Sequence, residues 1–512
     1  MASSSLRLVY RSTVRVFEGC GLTSEFRTEQ LPLTVIAPIQ FFMRRFLLSL
    51  FCCCLPLSLQ GYAQGRSTLP PAVSKALAAA GIPQSAVGVV VQEVGASSPR
   101  LAVNAQQAMN PASVMKLVTT SAALETLGPA YTWKTGLLTA APLNDGVLAG
   151  DLYLRGSGDP KFTAERLWLL LRQLRNRGVK DIEGNLVLDR SAFAPVDAGT
   201  AFDDQPLRPY NVIPDALLLN FKAVRLTLSP DPARKVVAVL PELLPDNLDV
   251  VVLIKLGNNG CGDWKDALRA DLTARDNRYR LVLTGTYSAS CGEKIWNLGL
   301  LPHDQYVLGL FRQIWHELGG ELRDGVKNGV VPPDARLLAE TESPTLAEVI
   351  RDINKYSNNV MARQLFLSLA PQPGATTEGA AAAVLAWLAG KGLNFPELVL
   401  DNGSGLSRKE RIAPINLARL LQKDWESPLM PEFVASLPLT AVDGTMKKRL
   451  GSVAVAGHGH IKTGTLEGVK TIAGYVQDAA GRTVIVVFLV NHPNAAQAQA
   501  AQDALLQWAY ER

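Results

Sequence analysis

The sequence predicts an α+β protein with more than one domain, and three observations carry that expectation. Stretches such as ERLWLLLRQLRNRG and QYVLGLFRQIWHELGG space their apolar residues as one helical face. Short apolar runs between Pro, Asn, Asp and Gly turns, among them VRLTLSP, KVVAVL, LDVVVLIKLG and YRLVLTGTYS, read as strands. The two kinds do not alternate as regular β-α-β units, so antiparallel hairpins are expected rather than a parallel sheet. At 512 residues the chain also exceeds one ordinary core.

The first recognisable segment begins at Met43. Arg44 and Arg45 supply a positive start, Phe46 to Leu59 an apolar run, and Gly61-Tyr62-Ala63 a small-residue cleavage pattern. The run is shorter than the ~20 residues a membrane-spanning helix needs. Export with cleavage after Ala63 is therefore expected, and residues 1–42 read as an extension or a mis-assigned start. Residues 1–63 hold six arginines and three glutamates, so the remainder is close to neutral and offers no argument for nucleic acid. They also hold Cys20, Cys52, Cys53 and Cys54. Only Cys261 and Cys291 remain, which in an oxidising compartment suggests one disulfide, the alternative being two separate buried thiols.

Beyond the signal, AVSKALAAAG reads as a short helix and AVGVVVQEVG as an alternating strand. A helix follows from Ala112, with Pro111 tolerated at its start and Gly128-Pro129 as its stop. GVLAGDLYLRGSGDP resumes β character, and Asp159-Pro160 is placed to cap the next helix. Residues 224–291 form a β-rich module that contains both remaining cysteines. Helical patterning returns in SPTLAEVIRDINKYSNNVMARQLFLSLA, and the C-terminus reads as strands HIKTGT, GVKTIAGYVQD and RTVIVVFLVN before a closing helix. No fixed-period repeat is visible.

Three short stretches carry chemistry. In Ser113-Val-Met-Lys116 the hydroxyl and the amine fall three apart on a helix, so they share a face. Unpaired N–H groups at a helix start could also stabilise an oxyanion there. Lysine acts as a base only when neutral, which requires burial or a second nearby cation. A Ser-x-x-Lys alone is weak, because about one match is expected by chance in a chain this long. Ser357-Asn358-Asn359 interrupts a helical pattern with small polar residues, which by itself is ordinary for a surface break. Lys462-Thr463-Gly464 enters a hairpin; such a lysine is either a solvated edge charge or the second cation that keeps Lys116 neutral and anchors a carboxylate. Gly464 leaves the backbone open to a ligand strand.

In that order, these stretches resemble the three signature motifs of the serine penicillin-binding proteins and β-lactamases. The long interval from Ser113 to Ser357 resembles the penicillin-binding protein 4 type of D-Ala-D-Ala carboxypeptidase, as do GSGDP at 156–160, RPYNVIPDALLLN at 208–220, DNGSGLSR at 401–408 and DGTMKKRL at 443–450. The resemblance implies a β-lactamase/transpeptidase-like fold with a large insertion. The peptidase domain would comprise 64–150 and 320–512, a second domain 151–223 and 292–319, and a β-rich third domain 224–291. It further implies that Ser113 forms an acyl-enzyme, Lys116 takes its proton, Ser357 relays a proton to the leaving amine and Asn359 holds the substrate amide. Lys462 and Thr463 would bind the terminal carboxylate, Gly464 would leave room for substrate, and the N–H groups of Ser113 and Thr465 would form the oxyanion hole.

The expected activity is D-Ala-D-Ala carboxypeptidase and DD-endopeptidase action on peptidoglycan stem peptides in the periplasm, with covalent capture of β-lactams and no cofactor. A β-lactamase or related serine esterase is the alternative. Loose membrane association and the oligomeric state stay open. A second Lys-Thr-Gly at 134–136 reads as structural, and His458 and His460 lack a third neighbour for a metal.

Overall fold

The computed structural model describes residues 68–196 and 202–512. The export signal expected within residues 1–63 lies outside them. One sheet of five antiparallel strands is ordered Gly459–Leu466, Val469–Gln477, Thr483–Asn491, Val87–Glu93 and Leu101–Val103. TVIVVFLVN makes its central strand for a simple reason. Successive strand residues point to opposite faces, and both faces are covered, which suits an unbroken apolar run. Val484, Val486, Phe488 and Val490 enter one core, while Ile485, Val487 and Leu489 enter another. The terminal helices Pro71–Ala79 and Gln499–Tyr510 close the first with Val73, Leu77, Leu505 and Leu506. The second core is filled by helices Lys116–Leu127, Leu346–Tyr356, Asn359–Leu367 and Pro414–Glu426.

The middle of the chain builds further sheets on a separate core. Its main sheet is ordered Val326–Asn328, Leu186–Asp189, Leu152–Arg155, Lys134–Thr139 and Arg336–Glu342. Here the expectation of antiparallel hairpins fails. Leu186–Asp189 runs parallel to both of its neighbours, because helix Ala164–Asn176 carries the chain back over the sheet as a crossover. That helix and His303–Glu317 bury Leu167, Leu171, Leu310 and Phe311 against it. Asp159 does not cap the crossover helix, which begins after Thr163; it accepts the N–H of Lys161 at 2.7 Å instead.

Strand pairing also moves the expected domain boundaries. Lys134–Thr139 and Arg336–Glu342, assigned from sequence to 64–150 and 320–512, pair with one another and extend the inserted sheet. By its hydrogen bonds the insertion thus runs from Lys134 to Glu342. Lys294–Leu298 pairs with Val224–Asp231, which carries the β-rich module past residue 291. A strand needs a partner for its backbone groups, and these partners lie across the two ends of the insertion, where local patterning cannot show them.

Within the β-rich module, Arg278–Ser288 pairs with Leu248–Val252, Lys255–Gly257 and Leu268–Arg275. Cys261 and Cys291 are joined in a disulfide across a sequence separation of 30 residues. No helix among the described residues is long and apolar enough to cross a membrane. Loop closure of that size restricts the unfolded chain by about 3–4 kcal/mol. Replacing both cysteines by serine is accordingly expected to lower the denaturant midpoint of the purified protein by an amount of that order, and an unchanged midpoint would contradict it.

Candidate active site

Residues 110–113 lead into the site under tight restraint. Asn491 on the central strand accepts the N–H of Asn110 at 2.8 Å and donates to its carbonyl at 3.0 Å. Thr471 Oγ1 donates to the Pro111 carbonyl at 2.7 Å, and Asn110 Oδ1 accepts the N–H of Ala112 at 2.8 Å. Ala112 is thereby held at φ +45°, a conformation that costs a non-glycine residue energy and persists only where its surroundings impose it.

The chain then makes a 3₁₀ turn, Ala112–Met115, before the α-helix starts at Lys116. Sequence periodicity placed Ser113 inside the α-helix. The tighter turn strengthens the pairing, because side chains at i and i+3 eclipse in 3₁₀ geometry. Ser113 Oγ lies 2.9 Å from Lys116 Nζ.

Lys116 is fully buried, at 0% exposure. Its Nζ also reaches Asn359 Oδ1 at 2.6 Å and the carbonyl of Ser404. A neutral amine has two N–H donors and one lone pair, whereas an ammonium has three donors and no lone pair. Asn359 Oδ1 and the Ser404 carbonyl take two N–H groups; the third contact, with Ser113 Oγ, is an N–H donated to the hydroxyl in the ammonium and an O–H donated to the lone pair in the neutral amine. Electrostatics favour the neutral form: burial holds the Lys116 amine well below the usual lysine range, and repulsion from Lys462 adds to it, with Glu410 opposing and Arg363 assisting.

Ser357 and Asn359 reach the site through a helix break. Helix Leu346–Tyr356 ends at Ser357, which takes left-handed angles of φ 55° and ψ 39°. Asn358 then caps helix Asn359–Leu367 by accepting the N–H of Met361 at 3.1 Å. Asn358 suits the cap position, while the left-handed angles of Ser357, like those of Ala112, cost a non-glycine residue energy and persist because the surroundings impose them. Lys462, also at 0% exposure, lies on the edge strand Gly459–Leu466 and donates to Ser357 Oγ at 2.9 Å and to the Thr463 carbonyl at 2.7 Å. Burial pulls its amine down to about 7. Lys462 is thus no solvated edge charge, and it keeps one donor unused.

Gly464 packs onto the backbone before the serine. A Cβ there would lie 2.9 Å from both the Pro111 carbonyl and the Ser113 N–H, too close for any side chain. Thr463 Oγ1 donates to Thr445 Oγ1 at 2.7 Å, and Thr465, two residues along the same strand, is exposed. The turn bearing Thr445 is tied to the Ser357 helix by Lys355, which contacts Asp443 at 2.6 Å and the Leu437 carbonyl at 2.9 Å.

Ser113, Lys116, Ser357, Asn359, Lys462, Thr463 and Gly464 therefore lie together. Sequence reasoning quoted DNGSGLSR and DGTMKKRL without giving their residues roles, and so missed Ser404, Gly405 and Thr445. Lys134-Thr135-Gly136 lies elsewhere, with exposed Lys134 paired to Glu340 at 3.1 Å. Among the described residues no group of three His, Cys, Asp or Glu side chains is placed to hold a metal ion.

Comparison with known proteins fits this geometry. A family model described as D-Ala-D-Ala carboxypeptidase 3 (S13) matches residues 69–512. The D-alanyl-D-alanine carboxypeptidase DacB of Haemophilus influenzae is 27% identical over 416 residues, covering 80% of this chain and 85% of the relative. A D-alanyl-D-alanine carboxypeptidase of Actinomadura sp. strain R39 is 28% identical over 442 residues, covering 82% and 80%. The crystal structure of penicillin-binding protein 4 from Haemophilus influenzae matches with a TM-score of 0.72 at 25% identity, over 86% of this chain and 99% of that one, and that protein has also been solved with a β-lactam. Since the family match runs from the first helix to the last and spans every segment of the site, the chain belongs to the D-Ala-D-Ala carboxypeptidase 3 (S13) family of peptidases.

Proposed function

We propose that this chain is a periplasmic serine DD-peptidase that passes the acyl group of a D-Ala-D-Ala stem peptide through Ser113, and that β-lactams acylate the same hydroxyl. The observation that carries the proposal is the pairing of Ser113 Oγ with the buried amine of Lys116 at 2.9 Å. In the first step Lys116 takes the Ser113 proton as Oγ attacks the carbonyl carbon of the scissile bond. The oxyanion that forms is met by the N–H groups of Ser113 and Thr465. The C–N bond breaks, and the leaving D-Ala amine receives a proton through the Ser357 hydroxyl, which Lys462 supports at 2.9 Å. Water then cleaves the ester and restores the Ser113 hydroxyl.

Asn359 acts in two ways. Its Oδ1 is committed to Lys116, so what it offers the substrate amide is its N–H₂ group. Lys462 and Thr463 take the terminal carboxylate, and the outer side of the edge strand, beyond Gly464, receives the peptide backbone. A DD cross-link presents the same D-Ala carbonyl with a substituted leaving amine, so endopeptidase action needs no further group. The β-lactam complex of the Haemophilus influenzae protein supports the capture of penicillin. Export follows from the signal read in residues 43–63, and the Cys261–Cys291 bond suits an oxidising compartment.

Covalent labelling by a fluorescent penicillin tests the nucleophile. Ser113→Ala should lose the label while keeping its melting temperature, and a label that persists in that variant would exclude Ser113. Release over a time course decides between a peptidase, which retains the adduct, and a β-lactamase or esterase, which turns it over.

The pH profile tests Lys462. Lys116 must be neutral, so acylation rises as pH climbs through its depressed value; Lys462 must be charged to hold a carboxylate, so that attraction fades above about 7. In Lys462→Ala the repulsion is gone and Lys116 protonates more readily, which should move the acidic limb to higher pH even for a substrate analogue lacking the carboxylate. An acidic limb that stays in place would make Lys462 a carboxylate anchor alone.

A further inference from the structure

The loop that contacts Lys116 is shaped by a buried carboxylate that the scheme above does not use. Glu410 has no exposed surface. Its Oε1 accepts the N–H groups of Gly403 at 2.9 Å, Asn402 at 3.1 Å and Asp401 at 3.4 Å, while its Oε2 meets no hydrogen-bond partner. Three successive N–H groups on one oxygen form an anion-binding nest. The turn continues with Asn402 Oδ1 accepting Ser404 N at 3.0 Å and Ser404 Oγ at 2.6 Å. The Gly403 carbonyl accepts Thr119 Oγ1 from the Lys116 helix at 2.6 Å, and the next carbonyl, that of Ser404, meets Lys116 Nζ. Gly405, at φ +81°, packs against the Ala112 carbonyl and the Ser113 N–H so closely that a Cβ would overlap them.

We infer that Glu410 is a positioning residue for Lys116: its carboxylate clamps residues 401–403 so that the Ser404 carbonyl takes one N–H of the amine and turns the lone pair toward Ser113. The inference rests on the proposed role of Lys116 as the base. A surface spacer would need neither the burial nor the three donors.

The clamp also has an electrical consequence. Glu410 is faced by Asp401 on its own loop and by Arg363 from helix Asn359–Leu367; burial pushes its carboxyl up, and the three N–H donors oppose that. Lys116 is faced by Lys462, Arg363 and Glu410, and of these only Glu410 draws its amine upward. Removing the Glu410 charge should make Lys116 harder to protonate, so the acidic limb of acylation moves to lower pH, opposite to the Lys462→Ala shift.

The experiment measures penicillin labelling rates of the full exported chain from pH 4 to 9 in wild type, Glu410→Gln and Glu410→Ala, with melting temperatures alongside. Glu410→Gln keeps the acceptor oxygen and loses the charge, so its plateau rate should stay within about threefold of wild type while its acidic limb falls to lower pH. Glu410→Ala frees the loop and should lower the plateau at least about tenfold, since small displacements of reacting groups carry penalties of that size. Should Glu410→Ala not fold, the acidic limb of Glu410→Gln decides alone. The inference is overturned if Glu410→Gln titrates like wild type, or if a folded Glu410→Ala labels within about twofold of it. A wild-type protein whose label does not depend on Ser113 would instead overturn the proposed function itself.

Discussion

An amine whose burial favours its uncharged form is the constraint on which the rest of this site depends. Water would hold Lys116 as an ammonium, since an unperturbed lysine titrates at about 10.4. Complete burial removes that solvation, and a second buried lysine adds repulsion. Asn359 Oδ1 and the Ser404 carbonyl take two N–H groups of the amine, and the Ser113 hydroxyl is its third contact. In the neutral form the lone pair faces the Ser113 hydroxyl.

The architecture supplies these groups from parts of the chain hundreds of residues apart. The antiparallel sheet contributes Lys462 on its edge and pins residues 110–113 through Asn491 and Thr471. The helical core, packed on one face of that sheet, contributes Lys116, Ser357 and Asn359. The insertion from Lys134 to Glu342 has its own sheets and its own core. Its β-rich module carries the Cys261–Cys291 disulfide.

Much of this was legible in the sequence, for identifiable reasons. Ser113 and Lys116 are neighbours along the chain, so their contact is set by local geometry, and even the misread helix type left it intact. Ser357-Asn-Asn359 announces a helix break by composition. TVIVVFLVN, apolar at every interior position, announces a strand, although not that both its faces are covered. What could not be read acts through tertiary partners or through the backbone. Ser404 contributes a carbonyl, which any residue possesses, and Gly405 an absence. Glu410 sits in SRKERIAP, where its neighbours Arg408 and Lys409 are exposed and the run reads as a solvated surface. The strands Lys134–Thr139 and Arg336–Glu342 pair across some two hundred residues, so the limits of the insertion were misplaced.

The central claim concerns the protonation state of a single nitrogen, and that state can be observed. In protein labelled with ¹³C and ¹⁵N at lysine, the Lys116 side-chain resonance can be assigned by its disappearance in Lys116→Met and followed by NMR against pH. The account predicts that at pH 7 the Lys116 signal is that of a neutral amine, protonating only on acidification. A Lys116 signal that is an ammonium at pH 7 and titrates in the ordinary lysine range would contradict it.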